Sequence, residues 1–301
     1  MKSAHAALGL LAMGSAIEAH AHTGEGSHLA WTFDAGVVLP LAIALLLFVI
    51  GLARLRRPAT RTSLFFFSGW LVLACALVSP LHAAGEHSFA AHMFEHELLM
   101  LIAAPLLVAA HANGVLLWAL PHRVRRPVSR FFLSQPVSGA WRALTSPALA
   151  TLLQAIALWA WHAPVLFDRA LSSPGWHIAQ HLSFLVTALL FWSAMFDPHR
   201  RRREPALVIG CLFATAVVSG ALGALMAFST SPWYAAYRSM QLDAFGLTPA
   251  QDQQIAGLLM WIPGGLIHMA IALALLAKLL QSARPPGQTA LPDRERRGIA
   301  Q

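Results

Sequence analysis

Among the fifteen histidines of this 301-residue chain, five have the spacing of a ligand set: His92 with His96, His177 with His181, and His162. Residues four apart in a helix project from one face, one turn apart, so each pair presents two imidazoles on a shared stripe. Met100 continues the first stripe one turn deeper. Neutral imidazole ligates copper, zinc and haem iron, and a thioether favours Cu(I). Two pairs and a fifth histidine at one depth of a helical bundle would suit a copper or zinc ion. Met93 and Met100 are the thioethers close enough in the chain to join them, and Glu95, Glu97, Asp168 and Gln180 could orient the ring nitrogens. Any one interfacial histidine is more simply a hydrogen-bonded or water-facing residue. Five at one level on three helices argue for metal.

The elements that must position them are apolar. Hydrophobic residues make up 57% of the chain and charged ones 11%, against roughly 25% charged in soluble domains. Seven long apolar runs lie at 34–53, 63–80, 91–111, 147–163, 176–196, 205–229 and 252–280, near the length of about 20 residues that spans a bilayer. The expected fold is therefore an all-α polytopic membrane bundle of seven transmembrane helices. Of the 21 Lys and Arg, 18 fall between or after these runs: near Arg54 to Arg61, Arg123 to Arg142, Arg200 to Arg203, and in a group from Lys278 to Arg297. Cytoplasmic loops hold the basic residues, so a periplasmic N-terminus, a cytoplasmic C-terminus and a place in the bacterial inner membrane are expected. The five histidines then lie at the periplasmic end.

Residues 1–21 carry Lys2, a short apolar stretch and Ala19-His20-Ala21, the pattern of a cleavable signal peptide. Residues 22–283 are read as the seven-helix domain and 284–301 as a disordered cytoplasmic tail. Segment 112–122 either extends the third span or lies along the interface. The net charge of +8 is topology and implies no nucleic-acid partner. Cys75 and Cys211 have no CxxC neighbours and read as helix packing. No GxSxG, HExxH, Walker or strand-bound GxGxxG motif occurs, so no catalytic residue and no enzyme activity are expected. His20, His22 and His28 make a short N-terminal tract, while His82 and His87, in the first outer loop, could assist metal delivery. His268, deep in the last span below Met260, could pair with a polar neighbour or form a second site. His111, His122 and His199 read as solvated. Trp31, Trp159, Trp161, Trp176, Trp233 and Trp261 form an outer aromatic belt.

Four segments carry a family resemblance. His92-Met93-Phe94-Glu95-His96-Glu97-Leu98-Leu99-Met100, followed by Ala104-Pro105-Leu106-Leu107, resembles the HMxxHxLLM…APLL segment of the multi-span CtaG family of cytochrome c oxidase assembly factors. Trp161-His162-Ala163-Pro164 resembles its WHxP segment, and the run from His177 to Leu185 its HxxxHLSFL segment. The run from Asp252 to Gly264 resembles its DQQxxGLxMWxPGG pattern. The resemblance covers about residues 35–280. It implies help in assembling a haem-copper oxidase, with copper bound and passed to an oxidase subunit, and a periplasmic copper carrier as a further partner. The family's histidines fall on His92, His96, His162, His177 and His181. Gln180 stands where an acidic residue is common, and His268 where no histidine is expected. Rival readings stay open: a bis-His haem b electron carrier, a copper permease, or a scaffold whose histidines only solvate the interface.

Overall fold

The structure, a computed structural model, describes residues 30–55, 59–239 and 245–282. It is all-helical, with no strand among the described residues. The expected signal peptide, the N-terminal histidine tract and the tail from 284 lie outside the described residues. Helices α1 (Ala35–Arg54) and α2 (Thr60–Val78) are followed by a short α3 (Pro80–Gly85). Next come α4 (Phe89–Glu97), a π-helical segment (Leu98–Ala103) and α5 (Ala104–Ala110), which together make one span. Then follow α6 (Asn113–Ala119), α7 (His122–Leu133), α8 (Gln135–Leu144), α9 (Pro147–Trp161), α10 (Pro164–Ser172), α11 (Pro174–Phe196), α12 (Pro198–Arg203), α13 (Pro205–Ala227), α14 (Ala235–Arg238) and α15 (Pro249–Ser282).

Six helices are long and apolar enough to cross a bilayer: Ala35–Arg54, Thr60–Val78, Phe89–Ala110, Pro174–Phe196, Pro205–Ala227 and Pro249–Gln281. With 15 residues, α9 rises only about 22 Å. It supplies a seventh span when joined to α8, which meets it at 66°. The chain is thus a membrane bundle of six to seven spans. Leu46, Leu64, Ile156, Phe213 and Leu266 stand exposed on its sides, as a lipid-facing surface requires.

Local rules set the helix starts. Pro80, Pro147, Pro164, Pro174, Pro198 and Pro205 all occupy the opening turn of a helix, where a missing N–H costs nothing. The segment after residue 110 does not prolong the third span. His111 adopts a left-handed conformation (φ 48°) that ends α5, and α6 folds back against α1. There a Cβ on Gly51 would overlap the Val115 carbonyl. The last two spans are the most intimate pair: a Cβ on Gly257 would sit 2.5 Å from the Gly223 carbonyl oxygen, so only small residues permit this backbone approach. At one end of the bundle the basic segments meet, with Arg54 donating to the Ala119 carbonyl and Arg200 to that of Arg142.

Candidate metal centre

The two histidine pairs occupy equivalent places. His92 and His96 are the fourth and eighth residues of α4, and His177 and His181 the fourth and eighth of α11. The imidazole rings bridge the two helices, and each pair faces the other. Ring centroids are 4.4 Å apart for His92 and His96, and 4.3 Å for His177 and His181. Across the helices they are 4.9 Å apart for His96 and His181, and 5.3 Å for His92 and His177. One ring nitrogen each from His92, His96 and His181, all buried, lies within 4.8 Å of the others. Metal–nitrogen bonds of about 2.0–2.1 Å need ligand nitrogens roughly 3–4 Å apart, so modest ring rotations would close them on one ion.

The donor set fits such an ion. Nε2 of His92, both nitrogens of His96, and Nε2 of His177 and of His181 have no hydrogen-bond partner among the described residues. An orphaned buried nitrogen costs about 1–3 kcal/mol, so five together are a large cost in the absence of something to bind. The Glu95 carboxylate, fully buried, supplies a negative charge beside them: its Oε1 lies 2.9 Å from His82 Nδ1 and 3.6 Å from His181 Nδ1. That charge also opposes the positive N-terminal ends of α4 and α11, which would otherwise repel a cation.

His82, from α3, belongs to this cluster. It stacks on His177 at 5.3 Å and, with Glu95 and His181, forms a second group of converging ligand atoms. Burial disfavours its charged form, but the hydrogen bond to Glu95 and that carboxylate's charge outweigh this and raise its pKa. Its side chain keeps 18% exposure where Glu95 keeps 1%, and His177 is also partly exposed. These two rings are the accessible rim of a buried interior.

His162 caps α9 and faces another partner. Its Nδ1 donates to the Leu158 carbonyl at 2.6 Å, which leaves Nε2 as an acceptor 3.3 Å from Met93 Sδ. Phe167 touches His162 and His92, and Phe184 touches His162 and His96. Met100 lines a deeper cavity with Glu97 and Leu101, and the π segment that starts at Leu98 widens the turn between it and His96.

The structure also explains the motif at the start of α15. The Asp252 carboxylate accepts from Ser88 Oγ at 2.8 Å and from the Phe89 and Ala90 amides, capping α4 from another helix. Gln253 and Gln254 hold the loop after α13 through Trp233, Ser231 and Ser229. That loop lays Tyr234 on Phe167 at 3.9 Å and sends the Tyr237 hydroxyl to the Gly85 carbonyl at 2.6 Å, roofing the cluster.

Sequence reasoning placed His82 in a loop and did not pair Met93 with His162. Ser79-Pro80, a cap followed by proline at the first helical position, is the signal that would have set His82 on a helix. The 46–282 region of the chain matches the family model described as cytochrome c oxidase caa3 assembly factor. No curated protein and no solved structure matches.

Proposed function

We propose, because this chain belongs to the cytochrome c oxidase caa3 assembly factor family, that it takes part in oxidase assembly by binding a copper ion at its histidine cluster and passing it to an oxidase subunit. The observation that carries this reading is the convergence of His92, His96 and His181, buried and with one ring nitrogen each within 4.8 Å, with Nε2 of each lacking a hydrogen-bond partner among the described residues. Copper is the cargo, supplied from the periplasmic side by a soluble carrier, in the inner-membrane orientation that the distribution of basic residues supports.

Each residue has a task in this reading. His82 and His177, at the rim, receive the ion, and the interior trio holds it. Glu95 offsets one positive charge and, through the Nδ1 atoms of His82 and His181, favours the tautomers whose Nε2 lone pairs face the ion. Three imidazoles without a thiolate hold copper less firmly than a Cys-rich site, which suits a carrier that must release it. A haem fits less well: across the two helices the rings of His92 and His177 lie 5.3 Å apart and those of His96 and His181 4.9 Å, too close for a macrocycle between two axial imidazoles.

The test is copper binding by the purified full-length protein, with Cu(I) affinity read by competition with a chromophoric chelator. Wild type should bind copper, and His92→Ala/His96→Ala should lose the cluster's ion while remaining monodisperse. A Soret band in the purified protein, or copper binding indifferent to this pair of substitutions, would overturn the reading.

A further inference from the structure

A second polar constellation lies deeper, where the histidine cluster does not reach. A cavity of about 40 Å³ opens between the third span, α9, α13 and α15, lined among others by Glu97, Met100, Gln154, Met260 and His268. A single water needs about 10–15 Å³, so one ion with a water fits. Glu97 Oε2, Thr151 Oγ1, Gln154 Oε1 and His268 Nε2 are buried without a hydrogen-bond partner among the described residues. His268 is 2% exposed. Its Nδ1 donates to the Gly264 carbonyl at 2.7 Å, and its ring stacks on Trp192 at 5.4 Å. Those contacts fix the tautomer and leave the Nε2 lone pair unused.

We propose that this cavity is a second, intramembrane site for Cu(I), held by the thioethers of Met100 and Met260, Nε2 of His268 and the carboxylate of Glu97. Ionisable groups inside a span mark ion or proton pathways and are costly unless paired, and Glu97 has no basic side chain in salt-bridge contact among the described residues. One carboxylate cancels one charge, so a monovalent cation leaves the site neutral where a divalent one would not. Two thioethers and an imidazole select the soft monovalent ion. The geometry that gathers them is local. The π segment lies between Glu97 and the helix that follows Met100, and Gly264 lines the cavity beside the Glu97 carboxylate. The site stands on its own residues. Only its role as a station for the ion of the histidine cluster rests on the copper reading above.

The experiment uses the full chain carrying His92→Ala, His96→Ala and His181→Ala, loaded with Cu(I) under anaerobic conditions and probed by chelator competition and X-ray absorption. The expected result is one retained Cu(I) with mixed sulfur and nitrogen scattering. Met100→Leu/Met260→Leu should remove the sulfur scattering and the ion, and Glu97→Gln should weaken binding by about 10–100-fold. A monodisperse triple-histidine variant that binds no copper, or binds it with nitrogen scattering alone, overturns the inner site and leaves the cluster standing. Should the triple variant bind as much copper as wild type, and lose it only with the methionine pair, the cluster reading fails and the inner site stands.

Discussion

His96 contributes two buried nitrogens and no hydrogen bond among the described residues. Its edge-on packing against Phe184 at 4.7 Å is the contact of an apolar ring. A leucine there forfeits little packing and removes two orphaned polar atoms, each worth about 1–3 kcal/mol. We therefore expect His96→Leu to leave the Tm of metal-free protein unchanged or higher, and to remove the part of the copper-induced Tm rise that the cluster's ion gives wild type. That rise reports about 2.7 kcal/mol when free metal reaches a hundred times Kd. Thermal unfolding in detergent, with and without Cu(I), measures both effects; a lowered metal-free Tm would mean that the histidine is a structural residue. Glu95 acts differently, since it binds no ion in this scheme but faces His82 and His181. Glu95→Gln keeps the shape and removes the charge, and should weaken copper binding by about 10–100-fold, read by the same chelator competition.

At the scale of elements, Asp252 shows how one helix sets another. Its carboxylate accepts from Ser88 and from the first two amides of α4, and that turn carries His92. Removing a cap costs about 0.5–2 kcal/mol, and here buried donors are left unpaired as well. Asp252→Ala should therefore lower Tm and also weaken copper binding, although Asp252 lies outside the ligand set; equal copper affinity at a lower Tm would separate the cap from the cluster. The i,i+4 pairs were legible in the sequence because four-residue spacing and proline-marked starts are local properties. The seating of Tyr234 on Phe167, the Tyr237–Gly85 bond and the cap by Asp252 were not, because they join positions from 67 to 164 residues apart. Nor was the π segment, since Leu98 to Ala103 is uniformly apolar and carries no local signature of a widened turn.

Over the whole molecule, the arrangement depends on which end faces which compartment. The cluster lies at the ends of α4 and α11 where their chains begin, and the Arg-rich α12 follows the opposite end of α11. A span of 23 residues covers about 34 Å at 1.5 Å per residue, so the histidines and the arginines stand on opposite sides of a bilayer. With Lys and Arg retained on the cytoplasmic side, as the positive-inside rule leads us to expect, copper offered from the periplasm would meet the rim of His82 and His177. Two surface positions report this directly. Val165, 77% exposed at the start of α10, lies at the cluster end, and the exposed Arg202 lies in α12. In a chain with Cys75 and Cys211 replaced by serine, Val165→Cys should react with a membrane-impermeant maleimide in intact cells. Arg202→Cys should react only after lysis. The reverse pattern would place the cluster at the cytoplasmic face and the arginines outside, and the proposed route of copper from a periplasmic carrier would fall with the topology.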